Sequence, residues 1–108
     1  MINLSSLNLT SGTFAAGTNL TMSSTSYIYI ADGGMTGTLQ GSGTYNVQYD
    51  PGASKTTGSE LSGSGINNIQ VQLSNTLTLG ANISIAGTIT VLGGNTLDTN
   101  NSNNYNIT

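Results

Sequence analysis

"TLTLGANISIAGTITVLGG", residues Thr76 to Gly94, carries three apolar pairs: Leu77 with Leu79, Ile83 with Ile85, and Ile89 with Val91. Each pair is spaced i, i+2, which in an extended strand puts both members on one face and the residue between them on the other. Mostly small residues separate one pair from the next. The strokes are too short for a helix and too interrupted for one long strand, so the stretch predicts three short walls joined by small-residue corners.

The same stroke recurs along the chain. Leu7-Asn8-Leu9, Ile28-Tyr29-Ile30, Val47-Gln48-Tyr49, Ile69-Gln70-Val71 and Ile89-Thr90-Val91 have first members 21, 19, 22 and 20 residues apart. A quasi-period of about 20 belongs to the range of solenoids and arrays, in which each repeat covers its apolar face with its neighbours. The expected fold is therefore all-β: a parallel β-solenoid of about five coils of roughly 20 residues, forming one segment over 1–108. A right-handed β-helix is favoured. Corners are expected where Gly or Asn tolerates positive φ, at Gly12, Gly33-Gly34, Asp50-Pro51-Gly52 and Gly93-Gly94. Two other architectures compete. Read from Leu73, the C-terminal half keeps a six-residue rhythm, the mark of a left-handed β-helix, and a β-sandwich of short strands also places turn signals at close intervals.

Composition narrows the function. Charged residues make up 5% of the chain, one Lys against four carboxylates, where an ordinary soluble domain carries roughly a quarter. Nucleic-acid binding is excluded, because it needs clustered Lys and Arg to displace counterions. Cys and His are both absent, so no disulfide, thiolate metal site or His-based triad can form. No run is long and apolar enough for a membrane span, and the N-terminus "MINLSSLNLTSG" lacks the basic and apolar regions of a signal peptide.

The remaining chemistry is sparse. Asp32 and Asp50 precede Gly-containing turns and read as turn formers, and Glu60 reads as ordering its own loop through Lys55. Neither an enzyme nor a cofactor is expected; a polysaccharide-active β-helix enzyme is a distant alternative. In "DTNNSNN", Asp98, Asn100 and Ser102 alternate as in calcium loops, but one carboxylate without the loop's Gly and terminal acid reads instead as a solvated Asn-rich corner. Ice binding would need Thr at the same place in every coil, whereas the outward residues are Asn8, Tyr29, Gln48, Gln70 and Thr90. Carbohydrate binding would use Tyr27, Tyr29 and Tyr45, read as exposed.

Attention then falls on the ends. Ile2 and Leu4 start in mid-pattern, and Tyr105 with Ile107 opens a new stroke with nothing to cover it. Solenoids need polar terminal caps, so these four residues are expected to meet flanking repeats or other copies head to tail. Tyr45 to Thr99, "YNVQYDPGASKTTGSELSGSGINNIQVQLSNTLTLGANISIAGTITVLGGNTLDT", resembles the repeat of very large secreted bacterial surface proteins, with Thr56-Thr57-Gly58-Ser59-Glu60-Leu61 its most specific piece. That resemblance implies an extracellular stalk or adhesive module, exported by autotransporter or type IX routes, with itself, flanking repeats or surface glycans as partners.

Overall fold

A computed structural model describes residues 2–40, 44–72 and 76–108. The main sheet stacks five strands in chain order: β1 (Ile2–Leu9), β3 (Leu20–Ile30), β5 (Tyr45–Tyr49), β7 (Ile66–Val71) and β9 (Ile89–Val91). Every pairing in it is parallel. The return walls hold β2 (Thr13–Ala15) paired with β4 (Gly34–Thr36), and β6 (Lys55–Thr56), β8 (Thr76–Thr78) and β10 (Thr96–Asp98) in a second parallel sheet. The protein is a β-solenoid: four turns separate the five strands of the main sheet, and the chain continues into a further coil. Parallel pairing between strands one repeat apart excludes the β-sandwich, whose neighbours run antiparallel.

The register is the one the apolar strokes specify. Leu7 pairs with Ile28, Ile28 with Val47, Val47 with Ile69 and Ile69 with Ile89. A triangular coil of three hexads would fix one unvarying offset between coils, and these offsets vary, so the six-residue rhythm is the spacing of walls within a coil. Leu73, which opens that rhythm, lies outside the described residues. The walls themselves appear in the opening stretch: Leu77 lies in β8, Ile83 bridges Ile107 on a third side, and Ile89 lies in β9.

The core runs up the inside of the stack as columns. Leu9, Ile30, Tyr49 and Val71 occupy one column, all buried, and Ile28, Val47 and Ile69 the next. The corner at Gly33 is tied to the coil below by an N–H donated to the Leu9 carbonyl at 3.1 Å. A Cβ there would meet that same carbonyl at 2.7 Å, so only glycine permits the close approach. Gly94, in the corner between β9 and β10, has φ 85°.

Coil one departs from a regular ladder. Leu4 pairs with Met22, but Ser6 pairs with Tyr27, so β3 accommodates extra residues in a bulge. Within it Thr25 has φ 61°, a left-handed conformation that a β-branched residue rarely adopts. Its hydroxyl donates to the Ser24 carbonyl at 2.6 Å. The same bulge buries Ser26 with its Oγ unpartnered. Ser26→Ala removes a buried hydroxyl that has no bond to lose, and is expected to leave stability unchanged or raise it by about 1 kcal/mol. Chemical denaturation of the variant checks this; a loss of more than about 1 kcal/mol would show that the hydroxyl is bonded in solution.

Candidate functional site

Three regions carry the residues singled out by the sequence: the two edges of the stack, a polar cluster inside it, and the outer face of the main sheet. At the first edge, Ile2 opens β1 opposite Leu20, and Leu4 is half-buried against the core. At the other, Ile107 bridges Ile83 and is 37% exposed, while Tyr105 packs half-buried on the core. Among the described residues, β1 and β9 have no strand on their outer sides. The structure therefore sorts the four predicted residues into two opposite edges. It adds Val91, Leu92 and Phe14, exposed apolar side chains that sequence reading did not assign to an end.

Inside the stack, Glu60 sits in a short 3-10 turn, Ser59–Leu61, and is 1% exposed. Rather than ordering its own loop through Lys55, it turns inward, and its Oε1 accepts from the Tyr49 hydroxyl and the Gly58 N–H, both at 2.7 Å. Its Oε2 has no partner. Tyr45, expected at the surface, is also buried: its hydroxyl donates to the Glu60 carbonyl at 2.9 Å and accepts from the Gly63 N–H at 3.2 Å. The reason is period 2. Tyr45 shares a face with Val47 and Tyr49, so the register that buries those two buries it as well. Burial pushes both phenols well above their usual range, and the nearby Glu60 carboxylate adds to the rise in each.

Asp32 and Asp98 hold corners. Asp32 accepts the Gly52 N–H at 2.9 Å, so it fastens the turn of the following coil rather than its own. Asp98 accepts from the Asn100 N–H at 2.9 Å, and the Asn100 amide donates to the Leu79 carbonyl at 3.3 Å. Asn100 and Asn104 both take positive φ, and Ser102 lies exposed in the turn between them. The candidate calcium loop is thus built as a corner, its one carboxylate engaged by its own backbone. Among the described residues no three acids gather in one place. A cleft of about 460 Å³ near the 3-10 turn is lined by Met35, Thr57, Leu61, Gly80, Asn82 and Ile83 and other neutral residues, so it offers no general acid or base.

On the outer face of the main sheet, Asn8, Tyr29, Gln48, Gln70 and Thr90 form one row, each in register with the next. Tyr27 and Tyr29 project from β3 at about two-fifths exposure, their rings stacked at 5.4 Å and 13°. No helix among the described residues is long and apolar enough to cross a membrane. No family model, curated protein or solved structure matches this chain, so its function is argued from the geometry above.

Proposed function

We propose that the chain is a structural module of an extracellular bacterial fibre or adhesin, lengthened by stacking coil on coil. The observation that carries this reading is one core column. Leu9, Ile30, Tyr49 and Val71 are at most 5% exposed, yet Val91, next in register, is 39% exposed. Ile30, Tyr49 and Val71 have a strand of the main sheet on both sides, whereas Val91 has one on the Val71 side only. Leu92 and Ile107 are open on the same coil at 40% and 37%. With them comes the free backbone edge of β9, a row of donors and acceptors ready to template a parallel strand. The edge of β1 at the opposite end offers the complementary half of such a ladder. Contact of β9 with β1 is heterologous, and a heterologous contact that does not close by rotation propagates as a filament. The next coil comes from further chain or from another copy, and low charge removes the repulsion that would oppose either.

Residues 1–108 in purified form are expected to associate end to end as concentration rises, read by sedimentation velocity and electron microscopy. Val91→Lys or Leu92→Lys places a charge on the templating edge, a device by which natural edges are kept apart. Either change should raise the concentration needed for association by about tenfold or more. Because both side chains are already exposed, the cost to folding should stay within about 0.5 kcal/mol. A monomer at every concentration, or association indifferent to these charges, would overturn stacking between separate copies.

A further inference from the structure

We infer that the outer face of the main sheet is a binding surface for an uncharged polysaccharide, centred on Tyr27, Tyr29, Gln48 and Gln70. The floor is a depression of about 230 Å³ over β5 and β7, bordered by Tyr27, Asn46, Gln48, Asn68, Gln70 and Thr90. One wall is fixed in place. The Asn46 amide donates to the Ser26 carbonyl at 3.3 Å and accepts from the Asn68 amide at 3.1 Å, and Asn68 in turn accepts from the Thr88 N–H at 2.9 Å. These asparagines are consumed in holding the coils together and cannot reorganise freely.

The opposite row is different. Gln48 and Gln70 stand in register on adjacent coils, half-buried, and neither side-chain amide bonds to another described residue. Each presents a carbonyl and an NH₂ whose stems are held by the sheet, so two sets of donors and acceptors project together into the depression. Thr90 adds a hydroxyl in the same row. Beside them stand the tyrosines, Tyr27 in register with Asn46 and Tyr29 with Gln48.

This combination selects a ligand. Aromatic faces carry negative potential that attracts the weakly positive C–H groups on the flat side of a pyranose. Amides satisfy hydroxyls in pairs, donating and accepting at once. No Asp, Glu or Lys borders the depression, so it offers nothing to an anionic or cationic polymer. A lipid or an amphipathic helix would want an apolar groove, and here the side chains on the rim are polar or tyrosine. The surface runs along the side of the stack, so added coils lengthen it without covering it. This inference therefore stands whether or not the ends associate.

The test is affinity electrophoresis of the whole chain through gels containing a soluble β-glucan, a galactomannan or, as the charged comparison, alginate, followed by titration calorimetry with gluco-oligosaccharides. At least one neutral polymer should retard the chain, at low and high salt alike, and alginate should not. Tyr27→Ala with Tyr29→Ala should weaken binding by about tenfold or more, and Gln48→Ala with Gln70→Ala by a comparable factor. Tyr27→Trp, which keeps an aromatic face, should retain it and guards against loss through misfolding. Circular dichroism should show every variant folded. Absence of retardation by every neutral polymer, retardation by alginate alone, or binding that survives both double variants would overturn the assignment.

Discussion

Ile69→Asp is expected to leave the chain unfolded, while Gln70→Asp, one residue along the same strand, is expected to fold. Ile69 is 2% exposed and lies between Val47 and Ile89 in the middle of an inward column. Aspartate there replaces a side chain of the hydrophobic core, flanked in its column by the aliphatic Val47 and Ile89. An isolated buried charge costs many kcal/mol, and forcing the group neutral or forcing the strand outward still sacrifices an isoleucine's burial. Small domains are stable by only about 5–15 kcal/mol, so the loss exceeds what the fold can absorb. Gln70 points to solvent between Gln48 and Thr90, with no carboxylate in its row, so the new charge stays hydrated. Its cost should be within about 1 kcal/mol. Ile89→Asp should fall between the two, because β9 is an edge and Ile89 is only half-buried. Circular dichroism and urea titration of the three variants decide the matter. Similar behaviour at positions 69 and 70 would mean that the inward and outward faces have been exchanged.

That alternation was legible in the sequence because a solenoid writes its register directly into spacing. When successive coils must align one apolar column, the number of residues from Leu7 to Ile28, or from Val47 to Ile69, is the circumference of a coil. Corners were legible for a related reason, since Asp50-Pro51-Gly52 and Gly93-Gly94 supply turn conformations that few other residues accept. What spacing cannot carry is the interior of an irregular wall. Glu60 follows Thr56-Thr57-Gly58 with no alternation to say which side it faces, and the partner the sequence offers it is the nearby Lys55. Its burial depends on Tyr49, eleven positions earlier and one wall away, whose hydroxyl supplies the bond. Tyr45 is a different miss. Its place at i−2 from Val47 already assigned it inward, and treating tyrosine as a surface residue hid the signal. For the edges, the apolar strokes pointed to Tyr105 and Ile107, but the exposure of Val91 follows only once β9 is known to be the last strand of its sheet.

The buried polar cluster makes alkaline pH the condition under which this fold should fail. Tyr45 and Tyr49 are 2% and 0% exposed, and both phenols are raised, first by burial and then, in the same direction, by the Glu60 carboxylate. In Tyr45 the Gly63 N–H opposes the rise without cancelling it. In the unfolded chain a tyrosine ionises near pH 10, so above that pH the unfolded state releases protons that the folded state retains. A group raised in the folded state contributes its stability in full below the unfolded value and loses it as pH climbs. Each tyrosine should therefore withdraw about 1.4 kcal/mol per pH unit above about pH 10, and the two together about 5 kcal/mol by about pH 12. That approaches the whole stability of a small domain. Tyr49→Phe should lower stability at neutral pH by about 1–3 kcal/mol, since Glu60 Oε1 loses its hydroxyl donor, yet reduce the alkaline slope by about half. Urea midpoints followed from neutral to alkaline pH, with tyrosinate absorbance recorded alongside, measure both quantities. A midpoint that stays flat through the ionisation range, or a slope unchanged in Tyr49→Phe, would show that the two phenols ionise without opening the core.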